Sequence, residues 1–430
     1  MVQEVQSIGI DSIWPKYGLT ETPYSTSPLK LFGTLPIDKI FANRVAELRE
    51  LGTRIKSSGS SRTLVVGEPG VGKTTFGNYL RWMLCFQNRT LSKFVTTPVE
   101  LKVQESWDSN QFLRATLASI YNASVIFEWK KNGHGIKTLG DVENYIKTTK
   151  NRSGGADFNT PVWGVGVSYG ETLNLPDDVP GEVLEDFFLR VCKELRDQGT
   201  SLVIQYNNLE NVNNDKLSSL LLSIRDFLQQ DNLHTIFLGP PSSLAAFERH
   251  LQVRSVFGKD IFLNPLGEDQ VLTILENRCK ALRIPGGRYI KPYEDSTIKE
   301  LYRSLNGNLR SICKILDDAT MAYKDRVPCL ITLKEIKAYS SQEVKSSLDD
   351  LSRNEKKIIS SLMENGPMNP TEISGITKIS LTNLSGKELK SLQKKGLITI
   401  QIDPNDKRYR IVGVSENTRL IFLFAANKTL

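Results

Sequence analysis

The stretch that decides the fold of this 430-residue chain is Gly67-Glu68-Pro69-Gly70-Val71-Gly72-Lys73-Thr74. A short apolar run, residues 63–66, precedes it, and residues 74–85 follow with apolar side chains at helical spacing. In a glycine-rich turn between a strand and a helix, successive backbone N–H groups converge on phosphate oxygens, and the start of the helix adds partial positive charge. The segment therefore predicts a site for ATP or ADP formed by Gly67, Glu68, Pro69, Gly70, Val71, Gly72, Lys73, Thr74 and Thr75.

Two side chains of this segment have separate expected roles. Lys73 supplies a point charge to the terminal phosphates, so it is a candidate catalytic residue as well as a binding one. Thr74 presents a hydroxyl to Mg²⁺. Glycine at positions 70 and 72 lets the backbone approach the phosphates closely.

Further strands and helices alternate along the chain after this loop. Short apolar strands are predicted at residues 99–103, 201–206 and 234–238, with helices at 182–197 and 214–230. A helix at 43–57 comes before the loop. Such alternation is typical of a parallel sheet with helices on both faces. The predicted fold class is therefore an α/β P-loop NTPase domain, followed by a mostly helical region up to about residue 340.

The strand at 201–206 ends where P-loop enzymes usually carry an acidic residue that holds the metal ion. This chain has Asn207 and Asn208 there. Asparagine can ligate a water of the metal shell but cannot act as a general base, so Asn207 is a candidate metal residue without that second function. Glu210 takes over as base if the loop bends back; otherwise it is a solvated loop residue. ATP binding is thus predicted more directly than ATP hydrolysis.

Two arginines downstream are candidates for neutralising charge on a transferring phosphoryl group. Arg254 precedes a short apolar segment, and Arg310 follows the Gly307-Asn308 turn at the start of a helix. Any single arginine is more often a surface residue. The turn before Arg310 favours a functional role there more than at Arg254.

The last part of the chain predicts a winged helix-turn-helix. Helices are expected at 352–364, 370–375 and 381–395, and a hairpin at 397–411 with a polar tip at 403–406. Residues 345–430 hold 14 Lys and Arg against 9 Asp and Glu, an excess that indicates a polyanionic partner. The candidate duplex-DNA residues on the third helix and the wing are Thr382, Asn383, Ser385, Lys387, Lys390, Lys394, Lys407, Arg408 and Arg410. The alternative is a winged helix that makes protein contacts, which the acidic tip residues Asp403 and Asp406 support.

Composition excludes several classes of protein. Hydrophobic residues make up 39% and charged residues 24%, which is typical of a soluble globular protein. No apolar run is long enough to span a bilayer and no secretory signal pattern is present, so a cytoplasmic protein without a membrane partner is expected. The five cysteines have no metal-ligand spacing, which favours buried, reduced thiols.

The segment 151–174 is rich in glycine and serine. Its run 164–170 has glycines close to those of a dinucleotide-binding turn, but the third glycine is one place late and no helix pattern follows. Trp163, Val165, Val167 and Tyr169 alternate with small residues, as in a strand or hairpin. The region 125–180 is therefore interpreted as an insertion and as a candidate site for a protein partner.

With these residues in view, the chain resembles AAA+ ATPases that carry a C-terminal winged helix, in particular archaeal origin-recognition (initiator) ATPases, and also transposition-targeting and STAND-like ATPases. The matching residues are the phosphate loop, the strand ending at Asn207-Asn208, the strand ending at Gly239, Arg254, and the Gly307–Arg310 turn, which resembles the sensor-2 arginine of a helical lid. Residues 41–44 resemble a segment that borders the adenine, so Phe41 joins the expected nucleotide site.

The resemblance implies four regions: an N-terminal arm (1–35), the AAA+ domain (36–265), a helical lid (266–342) and the winged-helix domain (343–430). It implies an ATP-dependent oligomer and an ATP-controlled DNA-binding switch, as in replication initiation or a related DNA transaction, with slow hydrolysis because Asn207 replaces the acid. The alternative is a STAND-type signalling or defence ATPase whose winged helix makes protein contacts.

Overall fold

The computed structural model describes residues 11–87, 93–153, 179–402 and 410–425. The chain forms two compact units. One comprises Ser27–Ala281, and the other joins Met1–Thr26 to Leu282–Leu430. The predicted strand or hairpin around Trp163–Tyr169 and the predicted wing tip lie outside the described residues. The four-region division stays a prediction, and the units are described separately below.

The unit Ser27–Ala281 alternates strands and helices, as the sequence predicts. Its strands are β1 (Ser61–Val66), β2 (Phe94–Thr96), β3 (Leu101–Lys102), β4 (Ser201–Asn207), β5 (Leu233–Gly239) and β6 (Ile261–Phe262). Its helices are α1 (Ile37–Ile40), α2 (Val45–Ser57), α3 (Lys73–Cys85), α4 (Ser109–Ile126), α5 (Lys137–Ser153), α6 (Gly181–Asp197), α7 (Asn214–Ser223), α8 (Arg225–Leu228), α9 (Leu244–Glu248), α10 (Leu251–Arg254) and α11 (Glu268–Ala281).

The six strands form one parallel sheet in the order β2-β4-β5-β1-β6, with β3 also pairing with β4. The strand before the phosphate loop, β1, lies between β5 and β6, so its end is at an interior position of the sheet. Leu64, Val65 and Val66 are buried because both faces of the sheet are covered. The predicted α/β P-loop fold class is confirmed.

One prediction about this sheet needs correction, and the strand β2 was missed. The strand expected at 99–103 is limited to Leu101–Lys102, because the chain turns at Pro98, where the Thr97 hydroxyl donates to the Val99 carbonyl at 2.8 Å. The neighbouring strand β2 was not predicted. Three residues are too few to show a strand's alternation in sequence.

Aromatic rings of β4, β5 and α4 pack together on one face of the sheet. Tyr206 stacks on Phe112 at 4.8 Å and on Phe237 at 4.9 Å between ring centroids. Its hydroxyl lies 3.0 Å from that of Thr116 on α4. This packing holds the C-terminal end of β4, where Asn207 is located, against both a helix and the neighbouring strand.

The second unit begins with the N-terminal arm. Trp14, Tyr17 and Tyr24 are buried, and the Tyr17 hydroxyl donates to the Cys329 carbonyl at 2.8 Å. These aromatic residues anchor residues 11–26 to the rest of this unit. The Thr22 hydroxyl donates to Asp317 Oδ1 at 2.7 Å.

The remainder of this unit is helical and ends in a winged helix. Its elements are α12 (Asp295–Ser304), α13 (Leu309–Ala322), α14 (Leu333–Asp349), α15 (Arg353–Asn365), α16 (Pro370–Thr377), α17 (Leu381–Asn383), α18 (Leu389–Lys394), β7 (Ile398–Ile402), β8 (Arg410–Val414) and α19 (Glu416–Phe424). β7 and β8 pair antiparallel. A π-helical turn, Leu384–Glu388, joins α17 to α18, so the expected third helix is one continuous element with a wider turn inside it. The predicted winged helix is confirmed.

The helices of the winged helix start where the sequence provides caps. Ser352 and Glu355 form a reciprocal capping box at α15, and Asn369 and Glu372 form another at α16 with Pro370 as its first residue. Ile358, Ile359, Leu362, Leu384, Leu389, Leu392 and Val412 fill a core of their own.

Candidate functional site

The phosphate loop leaves β1 at Val66 and enters α3 at Lys73. Gly70 has φ 89° and Gly72 has φ 92°, values that glycine adopts without the strain a side chain would cause. The N–H of Gly67 donates to the Gly239 carbonyl at 3.2 Å, which anchors the loop to β5. A Cβ at Gly67 would lie 2.8 Å from the carbonyl oxygen of Leu263, the residue after β6, so glycine is required there by that close approach. The three glycines are thus needed for two reasons: backbone conformation at Gly70 and Gly72, and space at Gly67.

Lys73 lies over the loop it terminates. Its Nζ donates to the carbonyl oxygens of Gly67 at 2.6 Å and Glu68 at 3.1 Å. This position puts the ammonium group above the loop, where phosphate oxygens would compete for it. The residues present therefore fit a nucleotide phosphate: positive-φ glycines, a helix N-terminus and a lysine charge meet at one place.

Thr74 and Asn207 meet, as expected of two residues that share a site. Asn207 Nδ2 donates to Thr74 Oγ1 at 3.1 Å, although 133 positions separate them. Gln205 Nε2 donates in turn to Asn207 Oδ1 at 3.0 Å. Gln205 was not singled out in the sequence, because a polar residue inside an apolar strand gives no indication of which partner it will find.

Thr75, which was expected to bind the nucleotide, contacts the backbone at Leu29 in this structure. Its Oγ1 accepts a hydrogen bond from the Leu29 N–H at 3.2 Å, and Asn78 Nδ2 donates to the Leu29 carbonyl at 2.8 Å. Asn78 Oδ1 also accepts from the fully buried Arg81 at 2.7 Å. The first two turns of α3 thereby hold the segment around Leu29 in place. A role of Thr75 in nucleotide binding stays a prediction.

The segment before α2 borders the loop. Phe41 stacks on Tyr79 of α3 with ring centroids 4.0 Å apart. Arg44 donates to the carbonyl oxygens of Val71, at 3.3 Å, and of Asn264. Burial lowers the pKa of Arg44, and the nearby Glu47 carboxylate opposes that shift. Phe41 is therefore next to the helix that follows the phosphate loop, and its place beside the base stays a prediction. Tyr79 was not singled out in the sequence, because its helical spacing is also that of a core residue.

Asn208 and Glu210 follow Asn207 in a tight turn. Asn208 has φ 66°, a left-handed conformation that asparagine tolerates, and it is half-buried. Glu210 lies in the 3₁₀ helix Leu209–Asn211 and is exposed. Of the three polar side chains, only Asn207 is hydrogen-bonded to Thr74. The roles of Asn208 and Glu210 stay predictions.

The two candidate arginines are in different units. Arg254 ends α10 and forms an ion pair with Asp260, Nη1 to Oδ1 at 3.2 Å. Asp260 is 9% exposed, and burial raises its pKa against the lowering effect of Arg254. Arg310 belongs to the second unit, where it is exposed in the first turn of α13 after the Asn308 cap. Both assignments stay predictions.

The surface of the winged helix carries the predicted DNA-binding set. Seven of the nine residues are described, and all seven are exposed: Thr382, Asn383, Ser385, Lys387, Lys390, Lys394 and Arg410. Lys407 and Arg408 lie outside the described residues. Lys395, at the end of the same helix, instead pairs with the buried Glu355, Nζ to Oε1 at 2.9 Å. The predicted DNA-binding residues of this helix therefore face solvent, whereas Lys395 forms an ion pair within the winged helix.

Several negative findings concern only the described residues. In them, no three His, Cys, Asp or Glu side chains are grouped as metal ligands. None of their helices is long and apolar enough to cross a membrane. Four of the five cysteines are buried as reduced thiols, as expected, while Cys329 is half-buried.

Comparison with known proteins gives three kinds of result. The profile of the MarR family matches residues 351–409, the winged helix. No curated protein matches the chain. Among solved structures, the chain is similar to Cdc6p from Pyrobaculum aerophilum, with 17% identity, a TM-score of 0.43, and 93% of this chain and 97% of that chain covered.

Two proteins from Aeropyrum pernix are also similar. The first is ORC1, solved in complex with DNA, with 16% identity, a TM-score of 0.48 and coverage of 93% of this chain and 97% of that one. The second is ORC2, solved as ADPNP-ADP complexes, with 14% identity, a TM-score of 0.47 and coverage of 95% and 98%. These proteins belong to the class that the sequence resembles. The likeness is one of fold.

Proposed function

We propose that this chain is an ATP-binding AAA+ switch protein that hydrolyses ATP slowly and binds duplex DNA through its winged helix. The observation that carries the proposal is the presence, in one chain, of a fully formed phosphate loop and a winged helix with an exposed polar and basic recognition helix. Replication initiation or a related DNA transaction is the proposed setting.

The nucleotide half of the proposal rests on the phosphate loop. Backbone N–H groups of the loop and the start of α3 bind the phosphates, and Lys73 exchanges its two carbonyl contacts for phosphate oxygens. Thr74 would offer its hydroxyl to Mg²⁺, which would neutralise phosphate charge when bound. Asn207 cannot accept a proton, so turnover is slow.

The DNA half of the proposal rests on the exposed side of α17 and α18. Lys387, Lys390 and Lys394 supply charge for backbone phosphates, while Thr382 and Asn383 are short polar groups able to contact base edges. The π-helical turn Leu384–Glu388, which contains Lys387, separates Thr382 and Asn383 from Lys390 and Lys394. We propose that ATP favours one of two arrangements of the molecule and so controls DNA binding and self-association. The charge-neutralising roles of Arg254 and Arg310 belong to the same proposal.

The test is duplex-DNA affinity across a salt series, with and without ATP and Mg²⁺. Each phosphate contact contributes a slope of about −0.9 to log affinity against log salt, so the double variant Lys387→Ala, Lys390→Ala should flatten the slope by about 2 units. The double variant Lys334→Ala, Lys337→Ala removes two exposed lysines of α14; it is the charge-matched control and should change the slope little.

Two results would overturn the proposal. Absence of DNA binding at low salt would make the winged helix a protein-contact module and favour the STAND-type alternative. A DNA affinity that ATP does not change would leave DNA binding without the switch.

A further inference from the structure

The group opposite Thr74 is a neutral amide that donates to the Thr74 hydroxyl. Asn207 is 4% exposed and Gln205 is fully buried, so neither amide rotates freely. Gln205 Nε2 donates to Asn207 Oδ1 at 3.0 Å, and Asn207 Nδ2 donates to Thr74 Oγ1 at 3.1 Å. The side-chain partners of Asn207 in the described part of the chain are therefore both uncharged.

Counting donors supports this orientation of the two amides. Gln205 Oε1 is buried without a hydrogen-bond partner and packs against Gly77, where any Cβ would collide with it. Reversing both amides would bury an NH₂ group there instead, with two unpaired hydrogens. Buried orphan donors are rarer than under-satisfied carbonyl oxygens, so the NH₂ of Asn207 faces Thr74. Gln205 is the residue that sets this direction.

An NH₂ group and a carboxylate prefer different ligands. A carboxylate at this position accepts hydrogen bonds from the water shell of Mg²⁺, which is usually held by one or two carboxylates plus substrate phosphates. An NH₂ group cannot accept those bonds, but it can donate its second hydrogen to an anionic oxygen. The site therefore attracts the phosphate directly and has lost one group that attracts the metal ion.

Resting on the nucleotide binding proposed above, we infer that this chain binds ADP and ATP with little dependence on Mg²⁺, and that Asn207, positioned by Gln205, is the residue that determines this. Thr74 still offers its hydroxyl to a metal ion. The water molecules around that ion would, however, find no carboxylate at position 207 of β4 to accept their hydrogen bonds. A nucleotide would then stay bound when Mg²⁺ is withdrawn.

The test is calorimetric titration of the full chain with ADP, in Mg²⁺ and in EDTA. Removing Mg²⁺ should weaken the wild-type affinity by no more than about threefold. Asn207→Asp should make the loss on chelation about tenfold larger than in the wild type, because a hydrogen bond to a charged group is worth about 1–2 kcal/mol more than a neutral one. The variant should fold, since Gln205 Nε2 and the Thr74 hydroxyl can both donate to the new carboxylate. Its thermal unfolding checks this.

Two further variants separate position from charge. Gln229→Glu adds the same charge on an exposed side chain just before β5, at the opposite end of the sheet from the phosphate loop, and should behave as the wild type. Gln205→Met keeps the volume but removes the hydrogen bond to Asn207. It should weaken ADP binding several-fold in EDTA and less in Mg²⁺, whereas a purely structural defect would weaken both equally.

The outcomes are distinguishable. A wild type that loses ADP affinity on chelation as strongly as Asn207→Asp overturns this inference and leaves nucleotide binding intact. Equal losses for Gln205→Met in both buffers overturn the positioning role of Gln205. No ADP binding in either buffer overturns the proposed function, and the inference with it.

Discussion

At the scale of single residues, the phosphate loop depends on a few groups that have no substitute. Lys73 is one of them, since its charge lies over the loop carbonyls of Gly67 and Glu68. Those carbonyl oxygens can bond to water when the lysine is absent, so the fold does not need it.

Lys73→Ala should weaken ADP and ATP binding by tenfold to about a hundredfold, the equivalent of losing a charged hydrogen bond of about 1.5–3 kcal/mol. The exposed Lys56 at the end of α2 provides the matched control, Lys56→Ala. Titration calorimetry measures the affinities. If Lys73→Ala also lowered the melting temperature strongly, the loss of affinity would come from unfolding, and that result would contradict the assignment.

His234 is a buried residue with a predictable response to acid. It is fully buried in β5, its Nδ1 lies 2.8 Å from Ser61 Oγ, and its Nε2 has no hydrogen-bond partner. Burial, and then the charge of Arg62, lower its pKa to about 4. The unfolded chain therefore binds a proton between pH 6.5 and about 4 that the folded chain does not.

The unit Ser27–Ala281 should lose about 3 kcal/mol of stability from this group as pH falls through that window, because stability rises with pH wherever the unfolded state binds more protons. His234→Gln should remove that part of the slope, and His250→Gln should not. Tryptophan fluorescence reports the unfolding, since Trp82, Trp107 and Trp129 all belong to this unit. An unchanged acid slope in His234→Gln would refute the prediction.

At the scale of elements, the start of α15 carries an unusual concentration of bonds to one carboxylate. Glu355 accepts from Ser391 Oγ at 2.7 Å, from the Ser352 N–H at 2.7 Å, and from Lys395 Nζ at 2.9 and 3.1 Å. Burial alone raises the pKa of Glu355, but these hydrogen bonds and the lysine charge outweigh it and lower the pKa to about 2. The carboxylate thus joins the first and third helices of the winged helix.

Glu355→Gln should destabilise the winged helix by about 3 kcal/mol at neutral pH, since the stability that a depressed carboxyl pKa provides is present above about pH 4.5 and lost as pH falls toward 2. Hydrogen exchange of α15 and α18 measures the local opening. Glu372→Gln changes the same kind of capping residue on the exposed start of α16, and should cost about 1 kcal/mol or less. If α15 and α18 were equally protected from hydrogen exchange in the two variants, the hydrogen bonds to Glu355 would add nothing to the stability of the winged helix.

At the scale of the whole molecule, the predicted boundary at residue 343 falls inside α14 (Leu333–Asp349). This helix packs against α19, the last helix, in which Leu420 and Phe424 are buried. The core of the winged helix starts at Leu351, so the module is complete by its own contacts but shares its last helix with α14.

A fragment that begins at residue 328 should therefore be more stable than one that begins at residue 350. Loss of α14 would expose part of α19, and two large apolar side chains are worth up to about 3–6 kcal/mol when fully buried. Thermal unfolding of the two fragments measures the difference. Equal melting temperatures would place the whole winged helix after residue 350.

Local features were accessible from the sequence. The phosphate loop, the strands β1, β4 and β5 and the winged helix all depend on residues a few positions apart, so periodicity and turn chemistry predict them. The strand β2 escaped prediction because its three residues show no period. The π-helical turn did too, since it leaves the helical spacing of the third helix nearly unchanged.

The sequence by itself therefore determined the class of fold and the location of the phosphate loop. Only the tertiary structure decided which polar groups meet. Asn207 reaches Thr74 across 133 positions, Glu355 reaches Lys395 across 40, and Leu29 reaches Thr75 across 46. Arg254 pairs with Asp260, a nearby residue whose burial the sequence does not reveal. A polar side chain can bond to any complementary group that folding brings within about 3 Å, and the packing of strands and helices, not sequence spacing, selects that group.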